Sequence, residues 1–218
     1  MVKVYWMNRF FFVFEEIRVR LGIKCDENHN NSVFILVKWD NWCTFAEQKF
    51  QNMRYKGSQE RKFSTLGRRL KKLMLDQGLT VSAAESLTGG TIASMIAQIP
   101  GSSAYFKGSV TSYAVSVKEE VLGVDVNVGG VVSESTAQQM AMGVARLLKS
   151  DCAVATTGIA GPGGAEPGKP VGTVCIAAIC RDQCVSTTYH FKGSREAVIL
   201  QSADAALNLL IEILQQNE

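Results

Sequence analysis

Three stretches of this chain hold residue types that can do chemistry. The first is Ala84-Glu85-Ser86-Leu87-Thr88-Gly89-Gly90, where the hydroxyls of Ser86 and Thr88 stand beside two adjacent glycines. If a strand ends and a helix begins there, free amides at the helix start make a positive spot, and Gly89 and Gly90 let a ligand approach the backbone. A ligand-binding turn and an ordinary capped helix start fit that stretch equally well. The second is Thr156-Thr157-Gly158-Ile159-Ala160-Gly161-Pro162-Gly163-Gly164. Successive amides in such a loop can form an anion-binding nest, with Thr157, Gly158, Gly161, Gly163 and Gly164 as candidate contacts. It is not a phosphate loop of the Gly-Lys-Ser/Thr type, because no such triplet follows. The third is Tyr113 with Lys118, five residues apart. A serine nucleophile without histidine can use lysine as its base. Histidine is scarce here, with only His29 and His190.

These residues need elements to position them. Phe63, Leu66, Leu70, Leu73 and Met74 recur at helical spacing, and Gly78 closes that helix. The spacing then predicts strands over Leu79–Glu85, Val110–Ala114 and Cys152–Thr157, and a hairpin of Thr173–Ile179 and Val185–Phe191. Helices are expected over Thr91–Ile99, from Lys118 to Leu122, from an N-cap at Ser133 to about Lys149, and from Ser194 to the C-terminus. Alternating strands and helices followed by a hairpin imply a layered α/β domain with a mixed sheet.

The chain has 218 residues, 46% of them hydrophobic and 20% charged, with a net charge of +3. That excludes a disordered chain, a collagen and a membrane bundle as whole-chain readings. Residues 1–60 carry twelve of the eighteen aromatic residues but two of the nineteen glycines and no proline. They read as an appendage to a domain at 61–218, either a small subdomain or translated sequence upstream of the true start, the second being favoured. The apolar run Phe10–Phe14 is too short for a signal-peptide core or a membrane span. Arg61, Lys62, Arg68, Arg69, Lys71 and Lys72 form a basic helix face, which reads as a solvated surface before a nucleic-acid patch. The six cysteines show no C-x-x-C and are expected to be reduced, with no metal site; Cys180 and Cys184 would flank a turn and face each other across it.

The motifs Ala84–Gly90, Pro100-Gly101-Ser102-Ser103-Ala104-Tyr105-Phe106, Tyr113 with Lys118, Gly158–Gly164 and Lys169-Pro170-Val171-Gly172-Thr173-Val174 together resemble the CinA C-terminal-domain family. That family includes nicotinamide mononucleotide amidohydrolases, and the resemblance covers residues 63–216. It implies a three-layer α/β/α fold with a mixed, mostly parallel sheet of about five strands. It implies deamidation of nicotinamide mononucleotide to nicotinic acid mononucleotide and ammonia without a cofactor, in a cytoplasmic homo-oligomer that needs no nucleic acid or membrane. By motif, Ser86 is the nucleophile and Lys118 and Tyr113 its activating partners, with Thr88, Gly89, Gly90 and the second glycine loop around the substrate. Family members commonly place a polar pair where this chain has Val115 and Ser116. A non-catalytic nucleotide-binding paralogue is the alternative.

Overall fold

The computed structural model describes residues 65–216. Helix α1, over residues 65–76, turns Leu66, Leu70, Leu73 and Met74 into the core, the spacing of one helical face. There follow β1 (Val81–Glu85), α2 (Thr91–Ala97), a 3-10 turn (Ser102–Ala104), β2 (Phe106–Thr111), α3 (Val115–Leu122) and α4 (Glu134–Leu148). The chain then forms β3 (Cys152–Gly158), β4 (Thr173–Cys180), β5 (Gln183–His190) and α5 (Arg195–Gln216). The expected appendage at residues 1–60 lies outside the described residues.

The strands form one sheet in the order β2-β1-β3-β4-β5. β1 runs parallel to β2 and β3, while β3-β4 and β4-β5 are antiparallel. The sheet is therefore mixed, with β1, β2, β3 and β5 running in one direction and β4 reversed. This order brings the C-terminal ends of β1, β2, β3 and β5 and the start of β4 to one edge, the usual place for a ligand crevice in an open α/β sheet.

Each face of the sheet has its own core. Val81, Ala83, Val154, Ile176 and Ala178 face α1, α2 and α5. Ala84, Ala153, Ala155, Ala177 and Ile179 face α3 and α4. The second face is lined by alanines, so α4 sits close to the sheet. α3 in turn sits close to α4: a Cβ on Gly143 would run into the Leu122 carbonyl oxygen. α5 has the length and hydropathy of a membrane span (22 residues, mean hydropathy 1.6). Its Val198, Ala203, Leu207, Leu210 and Leu214 are spent on the core instead.

Three expectations change. The second strand is Phe106–Thr111, not 110–114, because its pairing with β1 ends at Glu85↔Thr111. Ser112 and Tyr113 consequently lie on the connection, and Lys118 falls inside α3 rather than at its start. Cys180 does not face Cys184, since the hairpin register pairs Ile179 with Cys184. Cys180 is instead the register partner of Cys152, and the two sulfurs are in contact.

Candidate active site

Ser86 directly follows β1, and its amide still donates to the Thr156 carbonyl at 3.0 Å. Backbone pairing thus continues one residue past the strand and fixes the serine. Lys118 reaches it from α3. The lysine is 1% exposed, and its Nζ donates to Ser86 Oγ at 3.0 Å and to the Ser112 carbonyl at 2.5 Å. No carboxylate pairs with it among the described ion pairs. Burial pushes the Lys118 ammonium below the ordinary lysine range, since desolvation disfavours the charged form. The two residues whose types suggested a nucleophile and base are therefore in hydrogen-bond contact. Ser112 is itself fully buried, and its Oγ has no partner.

The start of α2 differs from its sequence reading. Glu85 is fully buried and folds back onto the helix start. Its carboxylate accepts from the amides of Gly90 and Ile92 at 3.0 Å and of Ala93 at 2.8 Å. Gly89 N donates to the Ser86 carbonyl, and Thr88 Oγ1 bonds Thr156 Oγ1 at 2.8 Å. Gly89, Gly90 and Thr88 are thus engaged within the protein, and an internal carboxylate occupies the place foreseen for an external anion. What stays open in this turn are the amides of Leu87 and Thr88, which have no partner among the described residues.

The second glycine loop is held at its ends. Ile159 N donates to the Thr173 carbonyl and Gly172 N to the Ile159 carbonyl. Between them, the amides of Gly161, Gly163 and Gly164 have no partner among the described residues. Gly158 belongs to β3 and is paired with Val174. Thr157 is buried and donates to the Val131 carbonyl at 2.8 Å, so it joins the end of β3 to the segment before α4. Gly161 has φ of +83°, and a Cβ there would meet Val171 Cγ1 at 2.5 Å.

Tyr113 stands apart from the Ser86–Lys118 contact. It is 60% exposed and hydrogen-bonds neither Ser86 nor Lys118. Its hydroxyl accepts from Arg195 at 2.7 Å, and the same guanidinium donates to the Gly161 carbonyl at 2.7 Å. Arg195 therefore ties Tyr113 to the second loop. Sequence reasoning passed over Arg195, which lies 82 residues from Tyr113 and carried no motif. It also passed over Glu85, whose only signal was an acid placed at the end of a buried strand. Among the described residues, no group of three or more His, Cys, Asp or Glu is placed to hold a metal ion.

A strand-end serine, a buried lysine against it and open amides beside it form the candidate site of a mixed α/β sheet. Residues 63–214 match the CinA C-terminal domain family model, and the chain belongs to that family. It is 43% identical over 149 residues to a CinA-like protein of Geobacter metallireducens, covering 67% of this chain and 36% of that protein. It is 44% identical over 142 residues to a CinA-like protein of Endomicrobium trichonymphae, covering 64% and 33%. The chain thus spans about a third of the length of these relatives. Among solved structures, it is similar to the competence/damage inducible protein CihA of Agrobacterium tumefaciens, with TM-score 0.68, 38% identity, and 71% of this chain and 96% of that one covered. A CinA superfamily protein of Klebsiella pneumoniae gives TM-score 0.68 and 32% identity, with 71% and 98% covered.

Proposed function

We propose that this domain is an amide hydrolase that deamidates nicotinamide mononucleotide, with Ser86 as nucleophile and Lys118 as base. The observation that carries the reading is the contact of Lys118 Nζ with Ser86 Oγ at 3.0 Å in a buried setting. A charged lysine donates across that contact. Desolvation of Lys118 favours the neutral amine, which reverses the contact and receives the serine proton. The freed Oγ attacks the carboxamide carbon. The amides of Leu87 and Thr88 are the available donors for the developing oxyanion, and Leu87 immediately follows the nucleophile. Lys118 returns the proton to the leaving nitrogen, so ammonia departs and an ester to Ser86 remains. Water then attacks the ester, with Lys118 taking its proton and passing it to Ser86 Oγ as the acyl–oxygen bond breaks, and nicotinic acid mononucleotide leaves.

Serine–lysine chemistry is common to several amide and ester hydrolyses, so the substrate rests on the family. The phosphate lies far from the reacting amide, and its binding energy can serve to orient that amide. The mononucleotide should therefore be a better substrate than free nicotinamide in turnover as well as in affinity. The test is ammonia release from nicotinamide mononucleotide by the purified chain, with Ser86→Ala as control. Release abolished by the substitution supports the reading. Absence of release, or equal release by the Ser86→Ala protein, rejects it.

A further inference from the structure

The sheet register places a polar row that no single stretch of sequence reveals. Thr157 pairs with Cys175, and Cys175 with Thr188. Glu85 pairs with Thr156 and with Thr111, so one residue further Ser86 lies level with Thr157 and with Ser112. Five neighbouring strands thus bring Ser112, Ser86, Thr157, Cys175 and Thr188 to one level. Contacts put four of them on the face covered by α3 and α4: Ser86 touches Lys118, Thr157 touches Val131, Cys175 packs in the core of that face, and Thr188 touches Glu134; the Ser112 carbonyl accepts from Lys118. Adjacent strands stand about 4.8 Å apart, so Cys175 is about 10 Å across the sheet from Ser86.

The far end of this row opens into a cavity of about 270 Å³ that does not include Ser86 or Lys118. Its wall contains Glu134, Lys169, Thr173, Cys175, Thr188 and His190. The volume is at the low end for a ligand site, which suits part of a molecule whose remainder lies elsewhere along the row. Two opposite charges meet there. The Glu134 carboxylate accepts from Ser186 Oγ and Thr188 Oγ1, each at 2.7 Å, and these bonds hold it below the usual carboxylate range. An ionised carboxylate has about four lone-pair sites, so acceptor capacity remains. The Lys169 ammonium has Glu166 as its ion-pair partner at 3.9 Å, too long for a hydrogen bond. An anion-binding cation beside a fixed acceptor matches a phosphate carried on a hydroxylated sugar.

Resting on the hydrolase reading above, we propose that this cavity is the phosphorylated-sugar subsite of the Ser86 centre, with Lys169 binding the phosphate and Glu134 accepting from the sugar hydroxyls. The base amide would then reach Ser86 along the row. This places the phosphate away from the second glycine loop.

Two measurements test it. The first compares ammonia release from nicotinamide mononucleotide and from nicotinamide riboside, which lacks the phosphate. Lys169→Met should lower kcat/KM for the mononucleotide about tenfold or more and leave the riboside value unchanged. Equal loss on both substrates, or no loss on either, overturns the subsite. The second is calorimetric binding of ribose 5-phosphate to the full chain, which needs no turnover. Millimolar or tighter binding that Lys169→Met abolishes supports the subsite. Binding that is absent, or indifferent to the substitution, overturns it. If the wild-type chain binds ribose 5-phosphate through Lys169 yet releases no ammonia, the hydrolase reading fails and the subsite stands. If it releases ammonia and the Lys169 effects are missing, the reverse holds.

Discussion

The two glycine-bearing turns at the C-terminal edge of the sheet look alike in sequence and are physically opposite. In Ser86–Gly90 the amides at the helix start are consumed from inside by Glu85. In Gly158–Gly164 three glycine amides remain open. One buried carboxylate makes the difference. A helix N-terminus attracts an anion, and here the chain supplies its own from the preceding strand. The glycine end of the first turn is thereby closed to an external anion, while Ser86 is held against Lys118. The second is anchored at its ends and through Arg195, which suits a segment that adjusts around a ligand. The same contrast assigns the unpaired Leu87 and Thr88 amides, rather than the glycines, to the oxyanion.

The largest expected effect comes from removing the chemistry of the first turn while leaving its frame. Ser86→Ala should reduce ammonia release by a factor on the order of 10³ or more. Glu85 keeps its three amides in that variant, so the melting temperature should hardly move; a large drop would mean that Ser86 itself braces the turn. The pH profile comes next. Burial lowers the Lys118 pKa from its ordinary value of 10.5, and the neutral form is the base. The rate should therefore rise with pH, about tenfold per unit on the acidic limb, and level off below the ordinary lysine value. A flat profile, or a limb centred at the free lysine value, would contradict a desolvated base.

Glu85→Gln breaks the comparison itself. An amide can accept at its oxygen but sets N–H against N–H at the other position, leaving a buried donor unsatisfied at about 1–3 kcal/mol. Thermal unfolding should report that loss, and kcat should fall about tenfold while KM changes little. An unchanged kcat would show that the carboxylate does not hold Ser86 in place. Gly143→Ala touches neither turn, but its methyl would meet the Leu122 carbonyl and push α3 from α4. Overpacking of this kind costs about 1–3 kcal/mol, and a fall in kcat alongside it would show that the docking of α3 sets the position of Lys118. Smallest is Arg195→Met, which releases Tyr113 and the Gly161 carbonyl. KM should rise several-fold, about threefold to tenfold, with kcat nearly kept. The opposite split would place Arg195 in the chemical step.

Much of this was legible because local pattern carried it. The strand end at Glu85, that of β3 to within one residue, the N-cap at Ser133, whose Oγ accepts from Thr136 N at 3.1 Å, and the apolar face of α5 all follow from periodicity and capping. Ser86 with Lys118 was legible as a pair of types, though not as a contact: their 32-residue separation closes only when β1 and β2 lie side by side. What depended on register stayed hidden. The Cys152–Cys180 pairing needs the antiparallel ladder of β3 and β4. The contact of Tyr113 with Arg195 was hidden because β2 ends at Thr111, three residues earlier than expected. Glu85 escaped notice because a carboxylate in a buried strand makes sense only once the amides that satisfy it are in view.

The account stands on Lys118 acting as a neutral base rather than as a fixed charge, and Lys118→Arg addresses that directly. Arginine keeps the positive charge and cannot usefully deprotonate. Ammonia release from nicotinamide mononucleotide by the Lys118→Arg protein should fall by a factor on the order of 10² or more relative to wild type. A rate close to wild type would contradict the serine–lysine centre.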